Sequence, residues 1–287
     1  MFEKVVSYVD EKCDVVFNKI NALKNFLKAT LEKQEKIYNN TQILNDKIDL
    51  LTRELYALRT NIWALSINKH LEKFRNCLEG KTVVLVCTGP SLEYFEPIPE
   101  AVYVGVNTAY QFQKVKLDYL FVQDYMKNQL GKENVNSEIN NYKGNNVVKF
   151  YGMLPTLRIN EIKADNILPL PQVYSNQDNV YQYVIEDKLH VDFAKDISVM
   201  AFGDYGGTAF SALQWIMFTN PKKLYLVGCD CSGAYKDFHL YSWVKFKEFV
   251  SHNNPDLEII SVNPVSLKGF FKDIYTTDFI NNTKNKF

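Results

Sequence analysis

Neither glycine nor proline occurs in the first 76 residues, and apolar side chains recur there at alternating steps of four and three residues. Fourteen of the seventeen positions in this repeat are apolar. The a positions are Cys13, Ile20, Leu27, Gln34, Thr41, Ile48, Leu55 and Ile62, and the d positions are Val9, Val16, Leu23, Thr30, Ile37, Leu44, Leu51, Leu58 and Leu65. A 3.5-residue period held over this length is typical of a left-handed coiled coil. We therefore predict a coiled-coil oligomerisation helix over residues 1–78. A single amphipathic helix packed on its own domain is the alternative, and it would drift from a strict heptad.

The flanking positions leave the number of helices in the coiled coil open. In the second half, isoleucine at a with leucine at d favours a parallel dimer. The first half has a wider apolar stripe, because four e or g positions are also apolar or aromatic: Phe17, Phe26, Leu31 and Tyr38. A wider stripe suits three or four helices, or packing against another surface. Thr30, Gln34 and Thr41 form a polar middle that can set the register, so we predict parallel self-association without fixing its order.

Gly80 ends the helical region, and short apolar strands then alternate with helices. The predicted strands are 82–87, 102–106, 118–123, 146–150, 167–170, 197–201, 223–229 and 257–262, and the predicted helices are 91–96, 108–116, 207–219 and 240–252. This alternation is typical of an open, mainly parallel α/β sheet. We predict a Rossmann-like domain over residues 79–287, in which the polar segment 125–145 is a surface loop or lid.

Charge and cysteine usage exclude several classes of protein. Lys plus Arg equals Asp plus Glu at 33 each, so no net charge recruits nucleic acid. The five cysteines are odd in number and irregular in spacing, which argues against a disulfide framework. Cys229 and Cys231 lack two further ligands at suitable spacing. We therefore expect neither a metal nor another cofactor.

Membrane contact is expected only at the periphery of the protein. No run approaches the roughly 20 apolar residues of a spanning helix, and the first residues lack a signal-peptide core. We expect a cytoplasmic protein, with the inner face of the membrane as a further location. From Leu267 onward, aromatic residues alternate with lysines, a pattern found in anchors at anionic lipid surfaces. Packing of this C-terminal tail on the domain is the alternative.

Two segments that follow predicted strands are candidates for binding a ligand. Thr88-Gly89-Pro90-Ser91 comes directly after the first strand, where the glycine lets backbone approach a ligand and the serine can cap a helix. A phosphate or ribose cradle is the functional interpretation, and an ordinary strand-to-helix turn is the other. Asn107 and Asp124 end the next two strands. Each could read a ribose or base at the carboxyl edge of the sheet, or cap the element that follows.

The segment from Tyr205 to His239 carries the strongest chemical signal. Gly207 and Thr208 open a predicted helix, and a helix start presents unpaired N–H groups to an anion such as phosphate. Asp230 follows the strand after that helix, where it could hold ribose hydroxyls or orient a neighbouring group. His239 comes nine residues later and can act as a general base, although a lone histidine is more often structural.

These motifs, in this order, resemble the Campylobacter-type bacterial sialyltransferases and the related MptE-like group, which includes the Maf flagellin glycosyltransferases. The segments that carry the resemblance are TGPSL, VNTAY, GGTAFSALQW, LVGCD and VNPVSL, within roughly residues 81–270. The resemblance implies a GT-A-like variant of the Rossmann sheet that binds CMP-activated sialic acid. The chain departs from the sialyltransferases at Thr88, where they carry asparagine. It also has a short loop between Asp230 and His239, which is closer to the MptE-like group.

The resemblance also assigns roles to individual residues. Tyr235 and Tyr241 look like lid tyrosines that steady the departing phosphate, and His239 looks like the base that deprotonates the acceptor. The resemblance implies that Gly89, Ser91 and Asn107 contact the nucleotide, with Gly207 and Thr208 near its phosphate. To these donor-binding residues we add Thr88, Pro90, Asp124, Asp230 and Ser266. No metal is implied.

The sequence thus predicts an inverting glycosyltransferase that moves an acidic, sialic-acid-like sugar from a CMP-linked donor to a surface glycan acceptor, as in lipopolysaccharide or capsule biosynthesis. One alternative is a Mg²⁺-dependent pterin-type diphosphokinase, which would use Asp124, Asp204 or Asp230 as metal ligands. A non-catalytic coiled-coil scaffold that reuses a nucleotide-binding fold is the other.

Overall fold

The computed structural model describes residues 2–123, 138–153, 179–189, 192–231 and 236–283 of the 287-residue chain. The strand predicted at 167–170 lies outside the described residues. The chain divides into two compact units, Met1–Tyr56 and Ala57–Phe287. Each unit is built on a different periodicity.

A single long helix, α1 (Phe2–Ile67), makes up the first unit and continues into the second. The predicted N-terminal helix is therefore confirmed, whereas the coiled coil stays a prediction. In the second unit, Thr60 and Ala64 on the last turns of α1 are fully buried, and Ala64 packs with Val184 and Ala201. Among the described residues, no helix has the length and apolar character needed to cross a membrane.

A parallel sheet organises the second unit. In the part of the chain that the structure describes, it has nine strands: β1 (Thr82–Val86), β2 (Val102–Val106), β3 (Tyr119–Val122), β4 (Val148–Met153), β5 (Val180–Leu189), β6 (Phe202–Asp204), β7 (Lys223–Val227), β8 (Glu258–Val262) and β9 (Lys272–Ile274). Their order is β6-β5-β4-β3-β2-β1-β7-β8-β9, and each neighbouring pair is parallel. The predicted parallel α/β architecture is confirmed.

Both faces of the sheet are covered, which is why its central strands read as continuous apolar runs. Val83 and Leu85 of β1 belong to the core on one face, together with α2 (Thr208–Thr219) and α3 (Lys236–Asn253). Val84 and Val86 belong to the core on the opposite face. That second core includes residues from two short 3₁₀ helices, Pro90–Tyr94 and Asn107–Gln111.

The structure departs from the predicted elements at several places. The helices expected at 91–96 and 108–116 are the two short 3₁₀ helices. The strand expected at 197–201 is a turn, because Ser198 donates from its backbone N–H to the Asp196 carboxylate at 3.1 Å. Strand β6 begins only at Phe202. Strands β5 and β9 were not predicted, since polar residues such as Gln182 and Glu186 interrupt the apolar pattern of β5.

The order of the strands creates a switch point between β1 and β7. From β1 the chain adds strands on one side until β6, and it then returns to pair β7 with the other edge of β1. Connections therefore leave the carboxyl ends of β1 and β7 on different sides of the sheet. In open α/β sheets, the crevice at such a point is the usual place for a ligand.

The described part of the C-terminal tail packs on the domain. Leu267 is buried in the core, and Phe270 and Phe271 pack against it. Strand β9 pairs with β8, and in α4 (Thr277–Thr283) the ring of Phe279 contacts Tyr94. This packing occupies several of the aromatic side chains that suggested a membrane anchor. Contact of the tail with a membrane stays a prediction.

Candidate functional site

A cavity of about 340 Å³ lies at the switch point. It is formed at the carboxyl ends of β1, β2 and β7, at the start of α2 and along the first turn of α3. Its lining residues are Cys87, Thr88, Gly89, Pro90, Val106, Asn107, Gly207, Thr208, Ala209, Phe210, Gly228, Cys229, Asp230, Cys231, His239 and Trp243. Five separate segments of the sequence therefore meet around one ligand-sized space.

Asp230 holds the turn that follows β1. Its Oδ2 accepts a hydrogen bond from the Ser91 backbone N–H at 2.7 Å, and its Oδ1 accepts one from the Ser91 hydroxyl. Both groups are buried. The carboxylate thus caps the 3₁₀ helix that begins at Pro90, across the gap between two neighbouring strands. This bonding makes Asp230 a positioning residue for the turn, and its contact with a ribose stays a prediction.

The glycines at the same place allow two backbones to approach closely. A Cβ on Gly89 would lie 2.5 Å from the Gly228 carbonyl oxygen and 2.6 Å from Oδ2 of Asp230. Gly228 has a φ of +66°, and a Cβ there would lie 2.5 Å from the Cys87 carbonyl oxygen. The Gly89 N–H donates to the Gly228 carbonyl at 2.9 Å. The pairing of β1 and β7 therefore extends past the strands into the wall of the cavity.

The start of α2 presents hydrogen-bond donors on the facing side. Gly207 is the N-cap in extended conformation, and its side chain position is open, since a Cβ would meet only Phe210 at 3.9 Å. The first N–H groups of a helix have no partner within it. Thr208 donates its hydroxyl to Oδ1 of Asn107 at 3.1 Å. Nδ2 of Asn107 has no partner in the part of the chain that the structure describes, so it adds a donor to this side.

A buried glutamine fixes the turn that leads into α2. The Gln214 amide oxygen accepts from the backbone N–H groups of Ala194 and Gly203, both at 2.9 Å. The amide nitrogen, Nε2, donates to the carbonyls of Gly203 at 3.0 Å and Phe210 at 3.1 Å. All four bonds of the amide are thus made inside the protein. They join β6 to α2 and so determine where the intervening Gly206-Gly207 turn lies.

His239 lies in the first turns of α3 and faces the cavity. Partial burial lowers the pKa of its imidazole below the usual 6.5, and a hydrogen bond with the Gly206 backbone acts in the opposite direction. A carbonyl that accepts a ring N–H raises the pKa in this way and orients the ring. The ring is therefore neutral and held in place near neutral pH, as a general base requires.

Three thiols form another part of the wall. Sγ of Cys229 donates to Sγ of Cys87 at 3.3 Å, and Nε1 of Trp243 donates to Sγ of Cys231 at 3.1 Å. The hydrogen bond with Cys87, together with burial, raises the pKa of Cys229 well above its usual value. Burial raises the pKa of Cys231 to about 11. Cys229 and Cys231 are therefore protonated at neutral pH and behave as small apolar groups.

Charged groups are scarce around the cavity. Among its described lining residues, none is lysine or arginine, and Asp230 is the one carboxylate. Hydrogen bonds from Ser91 already occupy both oxygens of that carboxylate. Within the described chain, no group of three or more His, Cys, Asp or Glu is arranged to hold a metal ion. The cavity therefore offers mainly neutral donors and one imidazole.

The structure brings together eight of the residues that the sequence singled out: Thr88, Gly89, Pro90, Asn107, Gly207, Thr208, Asp230 and His239. Ser91 lies behind the wall and contacts Asp230. Tyr241 and Ser266 are not among the lining residues; two residues along α3 from His239, Tyr241 is rotated by about 200° and is exposed. Tyr235 and Asp124 lie outside the described residues. The roles of all these residues stay predictions.

Sequence reasoning missed the residues that shape the site without a recognisable motif. Gly228 falls within the predicted strand 223–229 and was not singled out, although the backbone at this glycine lies close to the end of β1. Gln214 gave no signal, since a glutamine inside an apolar helix is equally compatible with an exposed position. The bond between Ser91 and Asp230 joins positions 139 residues apart and leaves no local pattern.

Comparison with solved structures finds distant similarity. No family model matches the chain, and no curated protein matches it. A solved structure of a Maf glycosyltransferase from Magnetospirillum magneticum AMB-1 matches 75% of this chain at 11% sequence identity, with a TM-score of 0.43. The match covers 38% of that protein, so the chain spans well under half of its length.

Proposed function

We propose that the second unit is an inverting glycosyltransferase that uses a nucleotide-linked sugar, with His239 as the general base. The observation that carries this proposal is the cavity at the switch point, where donors from α2 and Asn107 face His239. Nucleotide ligands occupy this crevice in open α/β sheets. The motif resemblance to the sialyltransferases and the MptE-like group points to the same chemistry.

The donor that best suits the cavity carries a single phosphate, as a CMP-linked sugar does. Pyrophosphate groups are usually bound with lysine, arginine or a metal ion. The described lining has neither lysine nor arginine. One phosphate can instead accept hydrogen bonds from the helix start at Gly207 and Thr208. A CMP-linked nonulosonic sugar, with a surface glycan as acceptor, is therefore the substrate pair that we propose.

In the proposed reaction, the imidazole of His239 takes the proton from an acceptor hydroxyl. The oxygen attacks the anomeric carbon from the face opposite the phosphate and forms the new glycosidic bond. The bond between the anomeric carbon and the phosphate oxygen breaks, and its electron pair leaves with CMP. The N–H groups at the start of α2 stabilise the charge that develops on the departing phosphate. General-base assistance of this kind contributes about 10²–10⁴-fold.

The donor set favours this reaction over the diphosphokinase alternative. Asp230 accepts two hydrogen bonds from Ser91, and Asp204 accepts one from the Gly206 N–H at 2.8 Å. These two carboxylates therefore hold turns in the fold, and Asp124 lies outside the described residues. We expect an activity that EDTA leaves unchanged.

Thermal unfolding in the presence of nucleotides tests the proposal first. The full-length protein would be heated with CMP, CDP, UDP, GDP, ATP or a pterin, each with and without Mg²⁺. A ligand that binds the folded state raises the unfolding temperature by mass action. We expect CMP to stabilise without Mg²⁺. Stabilisation by ATP with Mg²⁺ alone would point to a phosphotransferase, and no shift with any nucleotide would favour the scaffold.

A matched pair of variants links that shift to the cavity. Asn107→Ala removes the donor that faces the cavity, and we expect the CMP-dependent shift to fall sharply. Gln111→Ala changes an exposed residue of the same 3₁₀ helix and should keep the full shift. An equal shift in both variants would place the nucleotide elsewhere. Release of CMP from a CMP-linked sugar, in the presence of a glycan acceptor, then measures turnover.

A further inference from the structure

The apolar stripe of α1 is exposed along the described part of the first unit. Side chains at seven a and d positions each keep more than half of their surface exposed: Ile20, Leu23, Leu27, Ile37, Leu44, Ile48 and Leu51. A continuous apolar surface of this kind marks an interaction site. Its period of 3.5 residues matches another helix in a left-handed supercoil, whereas packing on a globular surface follows a period of 3.6.

The polar positions within the stripe identify the partner. Thr30 and Thr41 each donate their hydroxyl to the carbonyl four residues earlier, at 2.9 Å. Their hydrogen bonds are thus made within the helix, and they can offer methyl groups to a partner. Gln34 is different, because its amide would lie in the centre of the interface at an a position. An identical helix in register places a second Gln34 opposite it, so that each amide can donate to the other.

The flanking positions indicate how the two helices run. In a parallel in-register pair, a g position meets the e position five residues further on in the partner. Phe26 at g would then meet Leu31 at e, and both are exposed in the single chain. In an antiparallel pair, g faces g and e faces e, so this apolar contact would be lost.

Charges at the same flanking positions agree with the parallel arrangement at one place and oppose it at another. By sequence, Glu54 at g is followed five residues on by Arg59 at e, a pair of opposite charge. Lys19 and Lys24 form the corresponding pair of like charge, which is a cost of this arrangement. Exposed pairs contribute little in either direction. The apolar contacts and the Gln34 layer therefore decide the orientation.

We propose that α1 binds a second copy of this chain as a parallel, in-register coiled coil, and that Gln34 sets its register. A buried polar residue at one a position is the best-established device for this purpose, and it lowers stability in exchange for a defined register. The association is independent of the chemistry proposed for the cavity, because none of the residues that carry it line the cavity.

Disulfide cross-linking of full-length protein tests the orientation. In a Cys13→Ser background, Leu44→Cys places a thiol at a d position, where parallel in-register copies bring it next to its equivalent. Asp46→Cys places a thiol at the outward f position of the same turn and is the matched control. We expect mild oxidation to cross-link Leu44→Cys almost completely and Asp46→Cys very little. Light scattering under reducing conditions should give the mass of an oligomer.

Two results would overturn the proposal: a monomeric mass at micromolar concentration, or an oligomer in which Leu44→Cys cross-links no better than Asp46→Cys. The second result would indicate antiparallel or shifted helices. Gln34→Leu tests the role of the glutamine separately. The variant should still associate, with a higher unfolding temperature, and its Leu44→Cys cross-linking should fall because other registers become accessible. Unchanged cross-linking with Gln34→Leu would show that this residue does not set the register.

Discussion

The two units of the molecule place the same residue types in opposite environments. On α1, Leu27 is 53% exposed and Gln34 lies within an apolar stripe. In the sheet domain, Trp215 is fully buried and Gln214 makes all four of its amide hydrogen bonds inside the protein. The sheet domain therefore covers its own apolar side chains and satisfies the amide of this glutamine. In the first unit, the described apolar side chains of α1 stay exposed instead.

This difference separates the origins of stability from those of function. In the two proposals above, side chains on α1 act through association, whereas side chains around the cavity act through a local geometry that long-range hydrogen bonds maintain. A substitution on α1 should therefore leave the chemistry of the cavity unchanged, and a substitution in the cavity should leave association unchanged. The experiments below test that separation, beginning with the largest effect.

Replacement of His239 should give the largest change in rate. His239→Ala removes the proposed base, and we expect kcat to fall by about 10²–10⁴-fold. The unfolding temperature and the molecular mass should stay close to those of the unsubstituted protein, because the side chain is only partly buried. His252→Ala, at the exposed end of α3, is the control and should keep full activity. Wild-type rates in His239→Ala would remove the histidine from the mechanism.

Gln214 and Gln34 allow the same substitution to be made in both environments. Gln214→Leu removes the amide that pairs with two backbone N–H groups and two backbone carbonyls in the core. Each such group costs about 1–3 kcal/mol, so we expect a loss of at least about 3 kcal/mol in urea unfolding. Gln34→Leu should instead raise stability, since it removes a polar residue from an a position. If both variants were destabilised alike, the apolar stripe of α1 would not be an interface.

The different environments of these two glutamines also illustrate which features of the protein the sequence could predict. The α1 helix and the parallel sheet were predictable, because each depends on a local period and on apolar runs such as that of β1. The cavity could be placed at the switch point by the glycine turns and by His239. Gln214, the Ser91–Asp230 pair and strand β5 could not be predicted, since each depends on partners that only the tertiary fold supplies. The turn at Asp196–Ser198 likewise replaced an apparent strand through a local side-chain hydrogen bond.

Two glycines of the cavity wall should respond differently to the same added methyl group. Gly89→Ala would bring a Cβ within 2.5 Å of the Gly228 carbonyl oxygen, and overpacking of this kind costs about 1–3 kcal/mol. Gly207→Ala meets nothing closer than 3.9 Å and should retain stability. If the nucleotide phosphate lies against Gly207, this variant should still lose the CMP-dependent shift in unfolding temperature. Equal destabilisation of both variants would contradict the geometry of the two turns.

The smallest effect that we expect is the contribution of His239 to the pH dependence of stability. Burial lowers the pKa of His239 in the folded state below its ordinary value of 6.5. The unfolded chain therefore binds a proton at this ring more readily than the folded protein does. Above pH 6.5 the ring is mostly neutral in both states. As the pH falls below 6.5 toward the lowered pKa, this group should reduce the free energy of unfolding. His239→Gln should lose that part of the slope below pH 6.5, whereas His252→Gln should retain it. The same pKa predicts that kcat/KM stays constant from neutral pH down to about 6.5 and falls below it as the base becomes protonated. An acid limb with its midpoint above pH 7 would mean that another group carries the proton.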